Sequence, residues 1–194
     1  QAGRMIELVG RTLVTAPTGE PITRDECKTF ARIDSTAEDS LIDSLLIAAR
    51  ELAEEYCDRQ LMQATYDLTY DSFPGAGFLE IPYAPTSSIT SVKYVDADGV
   101  QQTLASDDYV ADVDVDPARI YLAYNATWPT VRFQRHAVTI RAVVGYADAD
   151  AVPDAIKTAL KMMVTAWMND REGCGEIPDG ARRILDRYRF RYGA

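Results

Sequence analysis

The spacing at which apolar residues recur changes twice along this chain, and no other feature constrains its fold as much. Between Leu41 and Tyr56 they return every three or four positions, at Leu41, Ile42, Leu45, Leu46, Ala49, Leu52, Ala53 and Tyr56. That is the spacing of one buried helix face. Tyr66, Leu68 and Tyr70 instead alternate with Asp67, Thr69 and Asp71, the period of a half-buried strand. The helical spacing resumes at Ile156 and runs through Ala159, Leu160, Met163 and Val164 to Trp167. The chain therefore calls for helices near both ends and strands between them.

Local signals place the elements. Thr23-Arg24-Asp25-Glu26, just after Pro21, is a capping box whose hydroxyl and carboxylate each satisfy a helix-start N–H. The helix it opens should end near Arg32 or Ile33. Ser35-Thr36-Ala37-Glu38 with Asp39 starts a second helix of about five turns, with Glu51, Glu54, Glu55 and Asp58 assigned to the water side. Strands are expected at Phe78–Ile81, Ile89–Val95, Val100–Leu104, Tyr109–Ala111, Arg119–Leu122 and Val138–Val144. Pro74-Gly75, Asp96-Ala97-Asp98-Gly99 and Asp116-Pro117 supply the turns between them. Pro153 opens a third helix that Gly173 and Gly175 should stop, and a fourth runs from Pro178-Asp179 toward Tyr188. The fold class is α+β: a small helical bundle formed by both chain ends (about 20–60 and 153–190), with an inserted antiparallel β-sheet module at about 64–147.

Charge and cysteine usage narrow the function. The net charge is −10, which opposes a protein that grips nucleic acid by neutralising phosphates. Its distribution is uneven. Pro178–Ala194 holds five arginines against Asp179 and Asp186, a net +3, leaving −13 on the other 177 residues. Cys27, Cys57 and Cys174 make no CxxC pair and leave an odd thiol, a pattern of reducing surroundings more than of a disulfide framework. No apolar run reaches the roughly 18 residues of a membrane span.

Chemistry-bearing motifs are scarce. His136 is the one histidine, and no serine or cysteine motif accompanies it as nucleophile. Asp112, Asp114 and Asp116 begin like a calcium-binding loop. Such a loop needs glycine at its sixth position and glutamate at its twelfth, where this chain has Pro117 and Ala123. The valines between the aspartates suggest an edge strand with a charged face. There is no phosphate-cradling glycine loop, HExxH or dinucleotide fingerprint. No catalytic residue, metal site or cofactor is expected.

The remaining feature is the basic, aromatic end Arg187-Tyr188-Arg189-Phe190-Arg191-Tyr192. Its aromatics can cap the helical core while the arginines stay solvated. Equally, arginine and aromatic side chains are the usual anchors of protein–protein contacts. Stacking on nucleic-acid bases is a third use, and the acidic remainder of the chain makes it the weakest.

Several landmarks recur in order: Pro21-Ile22-Thr23, Glu38–Ile42, Ala48–Glu54, Leu68–Pro74, Ile89–Val92, Tyr94–Gly99, Trp128-Pro129, Val138–Arg141, Gly145-Tyr146 and Val152–Lys157. Over about residues 20 to 172 the chain thereby resembles the head–tail connector (adaptor) proteins of tailed phages and prophages. The resemblance implies a single connector domain over 1–194 with no catalytic residues. It implies a structural subunit of the virion neck, made in the host cytoplasm and assembled into a ring of about twelve copies below the portal. Such a ring extends the DNA channel, letting the genome pass without specific binding, and meets the next connector or a tail-completion protein. The same resemblance makes residues 187–192 the portal-docking candidates. The alternatives are a tail-completion or stopper protein of the same neck region and, distantly, a small hydrolase using His136.

Overall fold

Both helical stretches fold where their periodicity places them. The computed structural model describes residues 8–75, 77–170 and 174–190, and the chain divides into two units, Pro17–Met62 with Tyr146–Ala194 and Gln1–Ala16 with Gln63–Gly145. The first unit is helical: α1 (Arg24–Ala31), α2 (Asp39–Cys57), α3 (Asp154–Asn169) and α4 (Asp179–Leu185). Its core is the two predicted stripes facing each other. Ile42, Leu45, Leu46, Ala49 and Ala53 of α2 are buried with Ile156, Leu160, Met163, Val164 and Trp167 of α3, and Ala181 and Leu185 of α4 close the cluster. Trp167 Nε1 donates to the Glu176 carbonyl at 2.9 Å, so the link from α3 to α4 is tied to the core by its largest side chain. α3 ends at Asn169, before the predicted glycine stops; Gly173 lies outside the described residues.

The capping box forms as read. Thr23 Oγ1 accepts from the Glu26 N–H at 3.2 Å, and a Glu26 carboxylate oxygen accepts from the Thr23 N–H at 2.7 Å. Glu38 stands at the N-cap of α2 without a side-chain capping hydrogen bond. Arg32 and Asp58 end α1 and α2 in the left-handed region, at φ 56° and 53°, a conformation that costs a residue with a Cβ roughly 1–2 kcal/mol. Arg32 is exposed. Arg32→Gly is therefore expected to raise stability by about 0.5–1 kcal/mol, the relief exceeding the extra entropy glycine brings to the unfolded chain. Urea denaturation measures it, and a loss would show that the Arg32 side chain holds something the left-handed strain obscures.

The second unit is antiparallel throughout. Its strands are β1 (Gly10–Thr15), β2 (Ala64–Tyr70), β3 (Phe78–Ile81), β4 (Thr86–Val95), β5 (Gln101–Thr103), β6 (Tyr109–Asp112), β7 (Ala118–Leu122) and β8 (Val138–Val144). They form two sheets, β1-β2-β8-β4-β5 and β3-β7-β6. The core draws on both: Leu68, Tyr70, Val92, Val138, Ile140, Ala142 and Val144 from the larger sheet, Leu79, Ile81, Ala118 and Ile120 from the smaller. β8 shows the alternation plainly, burying every second residue as a strand with one covered face must. On its other face Arg141 grips Asp67 of β2 through two bonds of 2.7 and 2.8 Å.

One expectation is extended here and two change. The antiparallel module inserted between the helical ends gains a strand from the chain's start, β1, which pairs with β2. β6 is an edge strand, as the aspartate–valine alternation suggested, but it stops at Asp112; Asp114 and Asp116 sit in the turn that follows. Glu54 does not face water. Its side chain is 13 % exposed and takes an ion pair from the equally inward Arg50, which also holds Glu20. Arg50 turns toward the protein from a position flanked by the core residues Ala49 and Ala53, and it draws Glu54, one helical turn on, with it.

Candidate functional site

The C-terminal segment is held by the end of α2. The last carbonyls of a helix have no partner within it and must find one elsewhere. Phe190 supplies one, its N–H donating to the Cys57 carbonyl at 2.8 Å. Asp58, in its left-handed cap, turns the chain so that Arg59 follows α4, and Arg59 Nε donates to the Tyr188 carbonyl at 2.5 Å. Tyr56 Oη donates to Asp186 at 2.6 Å, and the Arg189 guanidinium lies 5.2 Å from the centre of the Tyr56 ring. That bond to a carboxylate holds the Tyr56 hydroxyl proton and pushes its pKa up. Cations beside a helix C-terminus are favourable there.

The six predicted docking residues thus separate. Tyr188 is half-buried against the helical core, while Arg189 and Phe190 are engaged with α2. Arg187 is exposed. Arg191 and Tyr192 lie outside the described residues. Tyr188, Arg189 and Phe190 thus fasten the segment, and the Arg187 cation faces solvent.

His136 lies before β8 at φ 57°. Its Nδ1 is 2.8 Å from Thr69 Oγ1, which superficially pairs an imidazole with a hydroxyl. In a Ser-His-Asp triad a carboxylate orients the ring. The nearby Asp71 carboxylate instead accepts from the His136 backbone N–H at 2.9 Å. Among the described residues no three His, Cys, Asp or Glu side chains gather as metal ligands. Cys27 and Cys57 are buried, and burial pushes both thiols up to about 11, where the reactive thiolate is scarce at neutral pH. Among the described residues no helix is long and apolar enough to cross a membrane.

Two features escaped the sequence reading. One is the buried Arg50 cluster. Its only signal was an arginine and a glutamate four apart on a helix whose neighbours are alanines. The other is the connection from β7 to β8, which displays Tyr124, Arg132, Phe133 and Arg135 to solvent. Its signal was a long stretch without periodicity yet rich in aromatics and arginine.

The two-unit α+β chain thus exposes arginine and aromatic side chains at Arg187 and between β7 and β8, and no metal-ligand cluster occurs among its described residues. The comparisons name the family. The model of the head completion protein family matches residues 20–190, and the chain belongs to that family. Its fold is similar to a chain in the virion of a native gene transfer agent particle, with a TM-score of 0.78 and 22 % identity over 95 % of this chain and 97 % of that one. It is similar to a chain in the neck of the empty particle, computed with C6 symmetry, at a TM-score of 0.76 and 21 % identity over 96 % and 98 % of the two chains. A third likeness is to a chain in the neck of the native particle, computed with C12 symmetry, at 0.68 and 20 % over 96 % and 98 %. No curated protein matches it significantly by sequence.

Proposed function

We propose that the chain is a non-enzymatic subunit of the head–tail neck of a phage-like particle. One copy would stand in a ring below the portal, extend the DNA channel and offer a surface to the next connector or tail-completion protein. The observation that carries this reading is the likeness of fold over nearly the whole length to chains of gene transfer agent necks, including one computed with C12 symmetry, within a head completion family. We take the ring to hold about twelve copies, in keeping with the C12 neck, the neck of the empty particle being computed with C6 symmetry. A chain of net charge −10 favours passage of DNA over its retention. Arg187, with Arg191 and Tyr192, is the portal-facing group, while Tyr188, Arg189 and Phe190 hold the segment in place. Individually weak contacts suffice, because a ring engages many of them at once.

The test mixes the full chain with its cognate portal and images the product. Removing everything from residue 187 would also cut the bonds to Cys57 and Arg59, so the informative variant is Arg187→Glu/Arg191→Glu. Rings on the portal with the wild type and none with this variant, at unchanged thermal stability, support the reading. Wild-type chains bound to the tail tube and not the portal would replace it with a tail-completion role. Equal attachment by the variant removes the tail assignment alone.

A further inference from the structure

The stretch between β7 and β8, residues 123–137, contains no helix or strand, and connections that long in folded domains usually carry function. It is pinned at several points. The Ala123 N–H donates to the Asp108 carbonyl at 3.0 Å and the Arg132 N–H to the Val95 carbonyl at 3.0 Å. Trp128 stacks on Phe73 with ring centres 4.7 Å apart, and the His136 N–H is held by Asp71. Between these pins the loop presents Tyr124 and Phe133 at 95 % and 106 % exposure, the highest of the large hydrophobics. Residues 132–136 are all exposed. Arginine and aromatic side chains displayed on a fixed frame bind at low entropic cost and dominate contact energies.

Charge and position identify the partner. From Asp116 to Asp148 the chain has four arginines and no further acidic residue. Arg141 is spent on Asp67 and Arg119 lies over the Phe78 ring, whereas Arg132 and Arg135 have no ion pair among the described residues. The opposite composition occurs at Asp112-Val113-Asp114-Val115-Asp116, where Val115 is 37 % exposed and neighbouring Val110 of β6 is 54 % exposed. Strand register separates the acidic turn from the start of the loop. Tyr109 pairs with Leu122, where the loop departs, and Asp112 with Arg119, where the acidic turn closes. The loop therefore leaves the three-stranded sheet at the end opposite the acidic turn, and Arg132 is anchored on Val95 of β4.

We propose that the 123–137 loop of one copy docks, through Phe133, Arg132 and Arg135, on the Asp112–Asp116 turn of a second copy. Two unlike patches on one chain make a heterologous contact, which repeats head to tail and closes into a ring when its rotation permits. The inference rests on the ring reading above and names the surfaces that build the ring. Nucleic acid fits this loop less well. Asp71, Asp96 and Asp108 stand at its pinned points, where their charge repels phosphates while leaving short-range protein contacts available.

A charge exchange on the full-length chain tests it. Sedimentation velocity over a concentration series is expected to show wild-type self-association. Arg132→Glu/Arg135→Glu and Asp112→Lys/Asp114→Lys should each weaken it by about tenfold or more, at unchanged unfolding temperature. In an equimolar mixture of the two variants each loop again meets an opposite charge, so association should return. The proposal is overturned if the wild type does not self-associate, if either variant associates like the wild type, or if mixing restores nothing. A loop variant that self-associates normally but loses DNA binding would reassign the loop to nucleic acid and also overturn it. Portal imaging separates the two readings. Rings on the portal built equally well by the loop variant sink this inference alone. Charge-dependent self-association without portal attachment leaves it standing while the portal placement fails.

Discussion

Trp167→Ala is expected to cost about 3–5 kcal/mol, the range for removing a large aromatic from a packed core. Trp167 is 2 % exposed in the helical core and lines a cleft with Ile177, Pro178 and Arg182, so its removal would open the seam between α3 and α4. The substitution also deprives the Glu176 carbonyl of its donor, and α4, at seven residues, is too short to persist without its packing. Far-ultraviolet circular dichroism in urea measures the loss. Trp167→Phe serves as the control: it keeps most of the volume and gives up the hydrogen bond, so it should cost markedly less. A Trp167→Ala loss below about 1 kcal/mol would mean that the helical core closes over the cavity, contrary to the ordinary behaviour of packed interiors.

The elements legible in the sequence are those with one wet and one dry face. β8 was bounded correctly at Val138–Val144 because it alternates along its full length, and α1 was placed by a capping box whose two bonds are purely local. β1 escaped because nearly all of its residues are exposed; a strand without a buried face has no alternation to read. The division of the strands into two sheets was equally hidden, since periodicity reports which residues are buried and not which edges pair. Glu54 was misplaced for a related reason. Sequence pattern assigns charge to water by default, whereas burial of an arginine creates a second site at which a carboxylate is preferred. For the candidate docking surfaces, residue type was visible at 187–192 but not the division of labour within them, which depends on where the carbonyls of α2 end. The 123–137 loop was overlooked because it has no period, although Trp128-Pro129 within it was one of the landmarks of the family resemblance.

An assembly subunit must keep its own shape while offering weak contacts to several neighbours. The polar groups divide accordingly. Arg50, Glu20, Glu54 and Gln60 knit the chain internally, while Arg132, Arg135 and Arg187 lie exposed, where the proposals above place other chains. Only the first group should register strongly in the stability of the isolated protein.

Glu54→Ala tests that division. Glu54 Oε1 accepts from Gln60 Nε2 at 2.7 Å and from the Leu61 N–H at 2.8 Å, and Oε2 accepts from Arg50 Nη1 at 2.8 Å. Removing the carboxylate leaves the inward guanidinium to Glu20 at 2.8 Å and the more exposed Glu51 at 3.6 Å, and strips an acceptor from Gln60 and Leu61. A loss of about 3 kcal/mol is expected, near the lower end for breaking a buried pair because Glu20 stays. Glu54→Gln keeps an amide oxygen for Gln60 and Leu61 and should cost roughly 1 kcal/mol, the worth of one charge-assisted bond against the relief of a buried charge. Acid titration separates these contributions. Burial raises the Glu54 carboxyl above its ordinary 4.5, outweighing the Leu61 N–H and Arg50, so the folded chain takes up this proton at higher pH than the unfolded chain does. A raised value means a contribution fully present below 4.5 and lost as pH climbs through the folded value. Wild type should therefore gain on Glu54→Gln as the pH falls through that window and lose the gain on return to neutrality. Parallel unfolding free energies for the two proteins across that window would show that Glu54 titrates normally, and that Arg50 offsets its burial in full.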